Sequence, residues 1–165
     1  MNVTLKTPVK GNYKKVIASF DLNLFKALKP PAGEIEIIEF TGSQKGDKVH
    51  LRFIKPIKAD WISDIVEDQI TDDKAWFVDV GIKLPWPLAS WTHRHIVEKI
   101  DENNSIVVDD ISFTGKNRLY TLLLYPAIFL GFYPRKRIYK QYFDKLNLSN
   151  YSGLYLLQKI VKICQ

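Results

Sequence analysis

Cysteine is almost missing from this chain: Cys164 stands alone, next to the C-terminus. An intramolecular disulfide is therefore excluded, and a reducing compartment fits. The opening residues, Met1-Asn2-Val3-Thr4-Leu5-Lys6, have no charged region leading into an apolar run. No secretory signal is expected, and cytoplasmic residence is the default. Long hydrophobic runs are missing too. The uncharged stretch from Leu119 to Tyr133 falls short of the roughly 20 residues that span a bilayer, and Pro126 and Gly131 interrupt it. No serine or cysteine sits in a G-x-S-x-G frame. RNA-binding aromatic motifs, helix-turn-helix grammar and zinc fingers are all lacking, so no nucleic-acid partner is expected. No internal repeat, low-complexity tract or linker divides the sequence, and residues 1–165 read as a single domain.

What is present suits a globular domain with a real core: 46% hydrophobic and 25% charged residues over 165 positions. The net charge of +6 arises entirely after residue 134, where seven basic residues face Asp144 alone. Such a segment can meet phosphates on nucleic acid or lipid, or form a solvated helix face. Aromatics are abundant, with four Trp, eight Tyr and nine Phe. They can fill a core or line a cavity.

The elements follow from periodicity and turn chemistry. Leu5 to Val9 reads as a short opening strand halted by Pro8. Tyr13 to Phe20 and Leu22 to Leu28 read as two short helices, the second capped by Asp21. Strands are then predicted over Ile35 to Phe40, Lys48 to Lys55, Asp60 to Ile70, Ala75 to Ile82, Trp91 to Ile100 and Ile106 to Phe113. With no helix between them, they argue a meandering antiparallel sheet. Leu119 to Tyr133 should pack onto that sheet, kinked at Pro126, or rest on a membrane between basic flanks. Arg135 to Leu146 reads as an amphipathic helix with Ile138, Tyr142 and Leu146 on one stripe. After a break at Asn147 to Gly153, Leu154 to Ile163 reads as a last helix whose apolar stripe could pack on its own domain or on a second copy of the chain.

The chemistry concentrates at Trp91-Thr92-His93-Arg94-His95. On a strand, Trp91, His93 and His95 share one face. His93 and His95 supply two metal donors, and Asp79 or Asp109 a third, which falls short of a recognisable zinc set; we expect no metal and no cofactor. His93 with Asp79 or Asp109 could act as a base and its orienter. Alternatively the four residues form a hydrogen-bonded patch that fixes strand register, and such a patch could also orient the polar end of a ligand.

The ordered set of Thr7-Pro8-Val9, Leu28-Lys29-Pro30-Pro31, Gly46-Asp47, Phe77-Val78-Asp79, W-x-H-x-H at 91–95, Asp109-x-Ile111-x-Phe113 and Phe132-Tyr133-Pro134-Arg135 resembles the ligand-binding branch of the START-like (SRPBCC) superfamily. The resemblance covers about residues 3–143. It implies an α+β helix-grip fold: a curved antiparallel sheet of about six to seven strands around a long C-terminal helix, with a cavity between them. The family's usual Gly-Pro-Phe before the tryptophan is replaced by Leu84-Pro85-Trp86-Pro87-Leu88, which should reshape one rim of the pocket. On this reading the protein binds, and carries or sequesters, a small hydrophobic molecule such as a lipid, isoprenoid or polyketide-like compound. Trp76, Trp91 and Tyr120 would form apolar wall; His93 and His95, supported by Asp79 and Asp109, would form the polar anchor. Two alternatives stay open. One is a cyclase or dehydratase using His93 with a carboxylate. The other is a peripheral protein meeting anionic membrane through residues 119–140, with Arg135, Lys136 and Arg137 as its charges.

Overall fold

Period-two alternation sets the architecture. The computed structural model describes residues 1–29, 34–55 and 58–147. Strand β1 (Asn2–Lys10) buries Val3, Leu5, Thr7 and Val9 and exposes the residues between them. After it come helices α1 (Tyr13–Ala18) and α2 (Leu22–Ala27), whose caps are Asn12 and Asp21. The Asp21 carboxylate accepts from the backbone nitrogens of Asn23 and Leu24, both at 2.9 Å, as its sequence position predicts. Six more strands follow: β2 (Glu34–Phe40), β3 (Lys48–Lys55), β4 (Ala59–Ile70), β5 (Lys74–Lys83), β6 (Leu88–Lys99) and β7 (Asn104–Gly115). All seven form one curved antiparallel sheet in the order β1-β7-β6-β5-β4-β3-β2. The two short helices carry the chain from one edge to the other, and the meander then returns to pair β7 with β1. Register shifts in β2, β4 and β6 mark irregularities of the kind that bends strands.

Helix α3 (Arg118–Phe132) and a second helical segment, α4 (135–147), form the C-terminal arm that the sheet grips. Gly115 lets the arm begin directly at the strand end, because a Cβ there would lie 2.7 Å from the backbone nitrogen of Thr121. The expected helix-grip fold is therefore present. Residues 148–165, with the expected break at 147–153 and the last helix, lie outside the described residues.

Three expectations change. The opening strand runs through Pro8 to Lys10; β1 is an edge strand pairing only with β7, so the missing N–H costs no ladder bond on a second side. Strand β6 starts at Leu88, earlier than Trp91. Helix α3 continues through Pro126, the arm breaks at Tyr133–Pro134 instead, and no α3 residue is fully buried. Leu124, Ile128, Phe129 and Phe132 pack inward, whereas Leu119, Leu122, Leu123 and Leu130 are each about 60% exposed or more.

The interior consists of two apolar clusters. One gathers Tyr139 and Phe143 of α4 with α1, α2 and the lower halves of β5–β7, through Phe77, Val97 and Val107. The other gathers Trp91, Ile111 and Phe113 with the inner face of α3. On β6 the inward series is Trp91, His93, His95, Val97, and on β7 it is Phe113, Ile111, Asp109, Val107. The polar residues thus stand on the gripped face, between the two clusters.

Candidate functional site

Register explains how four side chains from three strands meet. Asp79 lies directly across from His93, and His95 across from Asp109. The shorter contacts run along the diagonals: His93 Nε2 to Asp109 Oδ1 at 3.0 Å and His95 Nε2 to Asp79 Oδ2 at 3.2 Å. The direct pairs are looser, His93 Nδ1 to Asp79 at 3.5 Å and His95 Nδ1 to Asp109 at 3.9 Å. The imidazoles lean against each other with centroids 3.6 Å apart, and Phe77 stacks on His95 at 4.3 Å. Two further donors complete the carboxylates. The Trp91 indole N–H donates to Asp79 Oδ1 at 2.9 Å, and the Tyr139 hydroxyl, from α4, donates to Asp109 Oδ1 at 3.2 Å.

These contacts decide the charges. Burial raises the Asp79 carboxyl, but the hydrogen bond from His95 and the proximity of His93 outweigh it and hold the group below its ordinary value. Asp109 behaves alike: burial raises it, and His93 and Arg135 bring it below the usual range. Burial, helped by repulsion from His93, drives the His95 imidazole down to about 4 against the pull of Asp79. His95 is accordingly neutral near pH 7. Its Nε2 then carries the hydrogen shared with Asp79, and its Nδ1 is a buried lone pair with no partner among the described residues. Burial and the Asp109 charge push the Tyr139 phenol well above its ordinary value, so it stays a donor.

The cluster opens onto a cavity of about 500 Å³ between the sheet and the arm, large enough for a small organic molecule. Trp61, Phe53, Leu51, Ile128 and Phe132 supply much of its apolar wall. Asp79, Trp91, His93 and His95 line it, and Asp109 stands one layer behind, bonded to His93. The other two expected wall residues lie elsewhere. Trp76 has the opposite parity to Phe77 and Asp79, so it sits on the outer face, donating to Glu67 at 2.6 Å. Tyr120 packs edge-on against Trp86 at 5.0 Å. Pro85 and Trp86, from the loop before β6, also line the cavity.

Two residues of the site had no signal in the strands. Tyr139 sits on α4 inside the basic run, between Ile138 and Lys140, and is fully buried. Arg135, a membrane-facing charge in one of the alternative readings, lines the cavity with its guanidinium 3.9 Å above the Phe132 ring. Donor atoms of Asp79, His93 and His95 lie within 4.8 Å of one another. That set could accept a divalent ion with an open position, although shared protons already account for the approach of these groups.

No protein-family model matches the chain, and no curated protein matches it. Solved structures share its fold. The protein XoxI from Bacillus cereus superposes with a TM-score of 0.58 at 18% identity, over 88% of this chain and 97% of that one. The Zhui aromatase/cyclase from a Streptomyces species gives 0.51 at 15% identity, over 71% and 69%. Norcoclaurine synthase from Thalictrum flavum, in complex with dopamine and hydroxybenzaldehyde, gives 0.57 at 10%, over 77% and 76%. At such identities the likeness is one of fold.

Proposed function

We propose that the cavity takes a small, mainly apolar, carbonyl-bearing molecule and that the histidine–aspartate cluster moves a proton on it, chemistry of the cyclase or dehydratase kind. One observation carries this reading: two His–Asp pairs drawn from three strands face a mainly apolar cavity. A structural patch needs no such opening. His93 lines the cavity and exchanges the proton with the ligand, taking it from the carbon beside the carbonyl. Asp109 holds its Nε2 at 3.0 Å, which leaves Nδ1, in a looser 3.5 Å contact with Asp79, as the nitrogen that takes the proton. His95, neutral and stacked on Phe77, holds Asp79 in place. A dry surround strengthens each of these interactions. Membership of the ligand-binding SRPBCC branch is part of the same proposal, supported by the W-x-H-x-H strand. Fold relatives named aromatase/cyclase and norcoclaurine synthase are in keeping with an enzyme built on this architecture.

The test uses 2-tetralone in heavy water, with deuterium uptake beside the carbonyl followed by proton NMR. The protein should accelerate uptake above the same concentration of free imidazole. His93→Ala and His93→Gln should each remove on the order of 10²-fold or more of the acceleration, the usual scale for a positioned base, with the far-ultraviolet spectrum unchanged. A bound ketone that exchanges no faster than in imidazole would leave a binding protein only.

The outer face of α3 favours a second role. Leu119, Leu122, Leu123 and Leu130 are exposed, and the exposed cations Lys116, Arg118, Arg137 and Lys140 flank them. This combination suits peripheral contact with an anionic lipid surface. Among the described residues no helix is long and apolar enough to cross a membrane.

A further inference from the structure

Arg135 is an arginine in an apolar cavity without an acid of its own. Among the described residues it is the sole Lys or Arg lining the 500 Å³ cavity. Among the described residues no carboxylate oxygen comes within 4.0 Å of it, since every ion pair of the cluster runs between a histidine and an aspartate. Its Nε is buried with no hydrogen-bond partner. The guanidinium carbon rests 3.9 Å above the Phe132 ring, which fixes the plane of the fork; the group also acts on the Tyr139 hydroxyl, while its buried Nε stays uncommitted among the described residues. Asp109, whose carboxyl feels the Arg135 charge, is already met by His93 and Tyr139, and Asp79 by His95 and Trp91. Arg135 is not needed to complete either one. A buried donor that lacks a partner is costly, and a planar fork is matched best by a carboxylate, which takes two parallel hydrogen bonds.

We propose that the cavity's ligand is an apolar carboxylic acid whose carboxylate pairs with Arg135 while its hydrocarbon body lies against Trp61, Phe53 and Ile128. The inference rests on the cavity being the ligand site, and not on proton transfer there. The body of such an acid would extend along the apolar wall past His93, so the carboxylate sets its depth and orientation relative to the cluster. Arg135 is thereby a specificity-determining residue for charge.

The test compares 2-naphthylacetate with 2-naphthylacetamide, which share shape and differ in charge, by quenching of tryptophan fluorescence; Trp61 and Trp91 line the cavity. The acid should bind the wild-type protein about tenfold tighter than the amide, or more. In Arg135→Met that preference should vanish, the acid losing at least about tenfold more affinity than the amide, and Arg135→Lys should keep part of it. The wild-type comparison stands even if the methionine variant fails to fold. Equal affinity for acid and amide would overturn the charge assignment and leave the cavity as a neutral ligand site. Failure of both to bind would overturn the cavity reading and this proposal together, whereas loss of 2-tetralone exchange alone would touch only the proton-transfer reading.

Discussion

Asp109 is held by a histidine, a phenol and the field of an arginine, and each comes from a different level of the chain's organisation. His93 reaches it across a strand pair, Tyr139 reaches it from α4, and Arg135 acts through space. His95 is different, because its environment opposes charge. With its imidazole lowered from 6.5 to about 4, the unfolded chain binds a proton that the folded chain refuses between those values. The resulting stability is complete above pH 6.5 and is lost as the pH falls toward 4. The whole effect is on the order of 3 kcal/mol. The two aspartates, also lowered, begin to lose their contribution only as the pH falls into the ordinary carboxylate range, and go on losing it below. Urea unfolding at pH 7 and at pH 4.5 should therefore show most of that drop in the wild-type protein and much less in His95→Gln. An equal drop in both proteins would assign the acid sensitivity to other groups. The parity of 91, 93 and 95 made the histidine face legible in the sequence, and the same parity rule places Trp76 on the other face of its strand from Asp79. Arg135 was not legible, because a run of Arg135, Lys136 and Arg137 carries no sign of which member turns inward.

Helix α3 shows what periodicity cannot decide. A stretch that is apolar on every side has no polar face to identify the outside, so the sequence alone could not distinguish its buried row from its exposed one. The choice is made by tertiary contact: Gly115 and the Asn117 cap, whose side chain accepts from the Tyr120 nitrogen at 2.9 Å, seat the first turn against β7. Leu124, Ile128 and Phe132 then point inward. The leucines left outside predict a measurable surface property. Leu122→Glu combined with Leu123→Glu should abolish sedimentation with phosphatidylserine vesicles at low salt and change stability by less than about 0.5 kcal/mol, as expected for exposed positions. Wild-type protein that stays in the supernatant would remove the lipid surface as a partner. The strands were easier to read. Lys48 to Lys55 alternates so regularly that its bounds agree with the structure, and the Pro8 error came from applying a rule for central strands to an edge.

At the scale of the whole molecule, the cavity is a consequence of two cores that do not merge. The sheet grips α4 at one end and α3 at the other, and the band of Asp79, His93, His95 and Asp109 lies where neither cluster closes over it. Strand count and order of elements could be read from turn signals and alternation, and the helix-grip class is implied by the family resemblance. The make-up of the cavity wall could not be read, because it comes from β3, β4, α3 and α4, whose approach depends on where the arm breaks. The break at Tyr133–Pro134 aims α3 and α4 separately and brings Phe132 and Arg135 to the histidines from either side of it. A ligand in that space must touch the imidazoles, and the third histidine of the chain provides an internal control. His50 lies on the outer face of β3, 3.3 Å from Asp60. Long-range proton–nitrogen-15 spectra of the three imidazoles, recorded while 2-tetralone is added, read this contact directly. The ring nitrogens of His93 and His95 should shift together and saturate while those of His50 stay fixed. A saturating ligand that leaves His93 and His95 unmoved would contradict the site.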